Sequence, residues 1–132
     1  MTELAQRWRK YLKEEIWTLH DEKYWTLPFD YNEMKDRDSP LYNTLKQSQL
    51  VIFKGDLNYR KLMGDINWDH SEKFEVAIRS FKPTNIVALR TVKCDLICGL
   101  PSGKSKELTE KDPMWMRTGE YGIIQFYQHK TA

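Results

Sequence analysis

At 132 residues the chain is long enough for one hydrophobic core and too short for two ordinary domains. Hydrophobic residues make up 40%, and five Trp, seven Tyr and five Phe argue against a disordered chain. With 21 basic and 19 acidic side chains the formal charge is only +2, so no field strong enough to suggest a nucleic-acid partner arises.

Leu4, Trp8, Tyr11 and Leu12 recur at helical spacing among Arg, Lys and Glu, which predicts an amphipathic helix over Glu3 to Lys13. Ile16 to His20 is short and β-prone, or else an extension of that helix. Trp25 to Tyr31 contains Pro28 and reads as an aromatic-rich loop. Asp36 to Pro40 reads as a turn in which Ser39 caps a helix with Pro40 at its first position, running to about Gln47. Leu50 to Lys54 is an apolar strand, and Asn58 to Met63 a short helix stopped by Gly64.

Asp65 to Asp69 reads as irregular. Phe74, Ile78 and Phe81 mark one face of a helix that Pro83 ends. Asn85 to Thr91 is a second strand, which Lys93 to Cys98 continues or follows with a third. Pro101 to Asp112 is polar, with Gly and Lys, and reads as a surface loop. Gly122 to Tyr127 is a final strand. Strands separated by helices predict an α/β fold with a mostly parallel sheet. No repeat, low-complexity tract, signal peptide or long apolar span is visible. A soluble, reducing, cytoplasmic setting without a membrane partner is the expectation.

Cys94 and Cys98 fit that setting. On a strand they share a face but sit roughly 13 Å apart, beyond the reach of about 7 Å that a disulfide allows. Two reduced thiols are expected. His20, His70 and His129 are scattered without metal-ligand spacing, and a cation held by Asp65, Asp69 and His70 competes with plain turn chemistry. Ser102 to Ser105 resembles the end of a phosphate loop, yet Gly99 precedes Gly103 by one residue too few. Trp17, Trp25, Trp68 and Trp115 read as core and loop pins before they read as a stacking platform.

The chemistry concentrates after the first strand, in Lys54-Gly-Asp-Leu-Asn-Tyr-Arg-Lys61. An apolar strand ending in Gly and a dense polar octet is how α/β proteins place binding groups at a sheet's carboxyl edge. Arg60 offers a planar fork for two phosphate oxygens, with Lys54, Lys61 and Lys93 as point charges. Asn58 donates and accepts, and Asp56 accepts from sugar hydroxyls or lies in a metal's outer shell. The bland alternative is a strand-to-helix turn with Asp56 as cap. A second cluster, Arg90-Thr91-Val92-Lys93, follows the apolar run Ile86 to Leu89. In an extended chain Thr91 and Lys93 share one face and Arg90 takes the other. One cation then reaches a site while the other is free for a structural pair.

These segments carry a resemblance. Phe53 to Leu62, then Gly64-Asp65 and Trp68, resembles the damage-control phosphatase family, in particular the subfamily marked by Arg-Thr-x-Lys, here Arg90 to Lys93. Trp25 to Pro28, Gly99-Leu100 and Gly119 to Phe126 are similar to the same subfamily's carboxyl-terminal region. The resemblance implies a metal-dependent phosphatase acting on sugar phosphates such as fructose 1-phosphate, with Mn²⁺, Co²⁺ or Ni²⁺ as cofactor. It also implies a disputed activity as an S-adenosylmethionine-dependent protein carboxyl methyltransferase. Asp56, Leu57, Asn58, Tyr59 and Arg60 match the family's substrate-binding stretch, and Lys93 its substrate-contacting lysine.

The implied architecture is an α/β/α sandwich, of which residues 1–132 would form the carboxyl-terminal portion. The family's metal ligands include an Asp-Asn pair, and no Asp-Asn dipeptide occurs here. The expectation is a chain that carries the phosphosugar wall, lacks the metal ligands and is inactive alone. Its missing amino-terminal half, or a role as a non-catalytic binding module, would account for the rest.

Overall fold

The computed structural model describes residues 2–130. Three strands form its sheet in the order β1-β2-β3: β1 (Leu50–Lys54), β2 (Asn85–Thr91) and β3 (Gly122–Tyr127). β1 and β2 run parallel, with Leu50 beside Asn85 and Lys54 beside Leu89. β3 runs antiparallel to β2, pairing Gly122 with Thr91 and Tyr127 with Ile86. The mostly parallel sheet expected from the sequence is therefore corrected to one parallel and one antiparallel pairing.

The reason lies in where the chain goes after β2. It stays at that end of the sheet, where Val92, Ile97 and Trp115 bury one another in a small second core beneath Leu108 and Tyr121. The Val92 N–H donates to the Tyr121 carbonyl at 2.8 Å. β3 thus starts beside the end of β2 and has to run back.

Among the described residues six helices accompany the strands. α1 (Glu3–Lys13) is as predicted; α2 (Met34–Arg37) and α3 (Ser39–Lys46) precede β1, and α4 (Asp56–Met63) follows it. α5 (Phe74–Ala77) is a single turn, and α6 (Lys104–Lys111) lies between β2 and β3. Two 3-10 turns, Lys23–Thr26 and Tyr31–Glu33, occupy the expected aromatic loop.

Several boundaries move for local reasons. Asp38, not Ser39, caps α3, its carboxylate accepting from the Leu41 N–H at 3.1 Å. α4 starts two residues earlier than predicted because Gly55, at φ 103, makes the turn. The α5 helix stops at Ala77, ahead of Arg79 at φ 53. Ile16 to His20 is neither strand nor helix, and Lys93 to Cys98 leaves the sheet. α6 replaces the predicted surface loop. It carries the ion pairs Lys104–Glu107 and Lys106–Glu110 but no apolar stripe, so hydrophobic periodicity could not reveal it.

The main core fills one face of the sheet. Phe53, Ile86, Ala88 and Tyr127 meet Tyr31, Met34, Leu41, Leu62, Ile78 and Phe81 there. Tyr31 stacks on Phe53 with ring centroids 4.9 Å apart. Trp115 is buried and Trp25 and Trp68 pack on the core, while Trp17 folds onto α1. Both cysteines are free thiols, Cys98 buried and Cys94 half-buried.

Candidate functional site

The carboxyl ends of the parallel pair lie side by side, because Lys54 is level with Leu89. Gly55 continues the ladder by one bond, its N–H donating to the Leu89 carbonyl at 2.8 Å, and then releases the chain into α4. Arg90 is the next residue on β2 and points into the protein. Its side chain is fully buried and pairs with Asp56, Nε to Oδ1 at 2.8 Å. The rest of the guanidinium is satisfied as well. It donates to the Leu96 carbonyl, to the Cys94 carbonyl at 3.1 Å and to Cys94 Sγ at 3.0 Å. The guanidinium carbon sits 4.5 Å from the centre of the Tyr59 ring. One buried cation therefore ties together the start of α4 and the loop after β2.

The residues of the octet divide by orientation. Asp56 is held by Arg90. Asn58 is held at both ends of its amide, donating to the Lys54 carbonyl at 2.8 Å and accepting from the Tyr31 hydroxyl at 2.7 Å. Tyr59 is buried and donates to Gln125 Oε1 at 2.7 Å, while Gln125 Nε2 donates to the Cys98 carbonyl at 2.8 Å. Burial pushes the Tyr59 and Tyr31 phenols above the ordinary phenol range and raises the Cys98 thiol. Lys61 donates to the Trp25 and Leu27 carbonyls, and its burial lowers its pKa. Leu57 and Lys54 face outward.

Arg60 is half-exposed and grips Asp65 with two bonds, of 2.9 and 2.7 Å. Gly64, in the left-handed region at φ 73, ends α4, and Asp65 at φ 54 turns its carboxylate back to the guanidinium. That bidentate contact raises the Arg60 pKa and holds Asp65 below the usual carboxylate range. Arg60 lines two clefts. One, of ≈ 560 Å³, also has Trp25, Leu27 and Leu57 in its wall; the other, of ≈ 340 Å³, has Cys94 and Asp95. Lys93 lines neither. It is exposed, with its stem near Gly119, while Thr91 is exposed beside it and Val92 is buried.

The structure thus brings both motifs to one edge of the sheet, with Arg90 rather than Arg60 as the link. Sequence reasoning overlooked Gln125 and Tyr31, whose partners are 66 and 27 residues away along the chain. No short motif signals such pairings. α4 adds a feature of its own: no side chain caps its start. The N–H groups of its first turn lack intrahelical carbonyl partners and lie at the positive end of the helix dipole.

Among the described residues no group of three or more His, Cys, Asp or Glu is arranged to hold a metal ion. Asp56, Asp65 and Asp69 are engaged by Arg90, Arg60 and Ser71. The residues present here do not fit a divalent ion.

A helix start and a basic motif at adjoining parallel strand ends mark a mixed α/β protein whose polar groups gather at the carboxyl edge of its parallel pair. Residues 1–108 match the family described as the damage-control phosphatase ARMT1-like domain. The chain belongs to that family. It is 43% identical over 126 residues to damage-control phosphatase ARMT1 of Danio rerio, covering 96% of this chain and 28% of that protein. The Mus musculus protein of that name is 44% identical over 119 residues, 90% of this chain and 27% of its own length. The Homo sapiens protein is 39% identical over 126 residues, 96% and 29% respectively. The chain therefore spans a little over a quarter of the length of these relatives. No helix among the described residues is long and apolar enough to cross a membrane.

Proposed function

We propose that this chain carries the phosphosugar-binding wall of a metal-dependent phosphatase and forms the carboxyl-terminal part of an α/β/α sandwich. The observation that carries the reading is the juxtaposition of the uncapped α4 start with Arg90 to Lys93, joined by the Arg90–Asp56 pair. An uncapped helix start offers backbone donors and positive potential to an anion. Lys93, exposed just past the end of β2, supplies a point charge from the neighbouring strand.

Arg60 is the adjustable member of the wall. Its contact with Asp65 is partly exposed, and such pairs contribute only about 0.2–1 kcal/mol. A phosphate dianion can take over the same fork at little cost. Leu57 offers an apolar surface to the carbon edge of a sugar, and fructose 1-phosphate is the substrate proposed. Asp56, Asn58 and Tyr59 act through position, since their side chains already hold the backbone of the wall. The ligands for Mn²⁺, Co²⁺ or Ni²⁺ are assigned to polypeptide outside this chain, and so is hydrolysis itself.

The test uses both the chain and a full-length relative. The purified chain, supplied with Mn²⁺, should show no phosphatase activity but should bind fructose 1-phosphate weakly in a titration. In the relative, Arg60→Ala or Lys93→Ala at the matching positions should each lower kcat/KM about 10- to 100-fold, the loss of one charge-assisted contact. Unchanged kinetics in both variants, or metal-dependent turnover by the chain alone, would overturn the reading. Labelled S-adenosylmethionine given to the same full-length protein checks the carboxyl methyltransferase alternative through methyl esters on protein carboxylates.

A further inference from the structure

Arg60 and Lys61 stand side by side on α4, yet their charges are spent differently. Arg60 pairs with Asp65 at the surface. Lys61 is half-buried and turns its ammonium to main-chain carbonyls, 3.2 Å from that of Trp25 and 2.8 Å from that of Leu27. Its Nζ also lies 5.8 Å from the Tyr24 ring centre and 5.3 Å from that of Tyr31. All these partners fall within residues 24–31. Leu27 to Asp30 has no helix or strand of its own, and Pro28 has no N–H to bond with. Lys61 is thus a clasp that holds this strap against α4.

The gap between strap and helix is the ≈ 560 Å³ cleft whose wall includes Arg60. Leu57, Arg60, Lys61 and Gly64 recur at helical spacing, so the cleft follows one face of α4 from its first turn to its end. Its volume falls within the range of about 300–1,000 Å³ typical of small-molecule sites. Trp25, Leu27 and Leu57 give it apolar walls, and Asp30 and Glu33 add carboxylate acceptors suited to hydroxyls.

Resting on the phosphosugar reading above, we propose that this cleft seats the sugar and that Lys61 is the positioning residue that sets its width. Arg60 belongs both to the anion grip and to the cleft wall, so a phosphate on its guanidinium leaves the ester-linked sugar beside the strap. The carbon edge of the sugar meets Trp25, Leu27 and Leu57, while its hydroxyls donate to Asp30 and Glu33. Lys61 touches no substrate, because its ammonium is committed to the strap. Without that ammonium the Trp25 and Leu27 carbonyls lose their donor and the walls part. Contact with the sugar then weakens in the ground state and the transition state alike, which raises KM and spares kcat. Inorganic phosphate has no carbon edge. Arg60 and Lys93 grip it without help from the strap.

In the intact chain, Lys61→Met should speed amide hydrogen exchange between Trp25 and Asp30 about 10-fold and leave β1 and β2 as they were. The kinetic test uses a full-length relative with lysine at the matching position, supplied with Mn²⁺. There the same substitution should raise KM for fructose 1-phosphate about 10-fold, keep kcat within about twofold and leave inhibition by inorganic phosphate unchanged. Lys61→Arg, which can still donate to both carbonyls, should recover most of the loss. Leu27→Ala trims the strap's wall without touching the carbonyl that Lys61 holds, and it should give the same split should Lys61→Met disturb folding. Unchanged strap exchange, an unchanged KM, a loss confined to kcat, or KM and phosphate inhibition weakening together would each overturn the proposal. Arg60→Ala separates this from the underlying reading, since there phosphate inhibition itself should weaken about 10-fold or more. If it does not, the wall falls and the role of Lys61 with it; if it does while Lys61→Met changes nothing, only the role of Lys61 is lost.

Discussion

Replacing Arg90 by Met tests the link that joins the two halves of the wall. The substitution keeps an unbranched apolar stem and removes the guanidinium. Asp56 then loses its ion pair, the Leu96 and Cys94 carbonyls lose their donor, and the Tyr59 ring loses its cation. Breaking a buried pair by removing one partner costs about 3–5 kcal/mol. Asp56 is still about a quarter exposed, which lets water recover part of its loss, so about 3 kcal/mol is expected. A domain of this size is stable by only about 5–15 kcal/mol.

Urea unfolding followed by tryptophan fluorescence should therefore show the midpoint falling by about 2 M, at a slope near 1.5 kcal/mol/M. Arg90→Lys should recover little, because an ammonium cannot reach Asp56 and two carbonyls at once. Asp56→Asn should cost less than Arg90→Met, and the double variant should show a coupling of about 1 kcal/mol or more. A midpoint shift under about 0.5 M for Arg90→Met would refute the assignment of Arg90 as the organising group.

Alkaline pH should destabilise the chain. The Tyr59 and Tyr31 phenols and the Cys98 thiol keep their protons in the folded protein at pH values where the unfolded chain releases them. Their contribution is full below the ordinary values and is lost as pH rises, by about 1.4 kcal/mol per unit for each phenol above about pH 10. Urea midpoints between about pH 8 and 11 check this, and Tyr59→Phe should flatten the decline. Gly64→Ala should lower stability by about 1–3 kcal/mol, since at φ 73 the new Cβ would lie 2.3 Å from Arg79 Nη2 and push it off Asp30; an unchanged melting temperature would contradict the reasoning. On the acid side Arg60 holds the Asp65 pKa down, so that contact contributes above the ordinary carboxylate value and fades as pH falls through the lowered one. Asp65→Asn should leave urea midpoints nearly unchanged at neutral pH, because the pair is exposed.

What the sequence alone determined was local. The apolar runs at Leu50 to Lys54, Asn85 to Thr91 and Gly122 to Tyr127, the α1 stripe and the Gly64 stop each carry their signal within a few neighbours. The octet and Arg90 to Lys93 were legible as chemistry because strand ends collect polar groups, and family membership followed from the same residues.

The tertiary structure decided which of those polar groups are committed to the protein. Strand alternation turns Arg90 inward and Thr91 outward, but only packing showed that Lys93, beyond the strand's end, is exposed and that Asp56 is Arg90's partner, 34 residues earlier. The antiparallel return of β3 depended on where the Trp115 cluster settled. α6 carries exposed charge pairs and rests Leu108 on the Trp115 cluster, and one apolar contact leaves no period to read. Side-chain hydrogen bonds between distant segments have no spacing in the chain, and so they become visible only when folding brings the segments together.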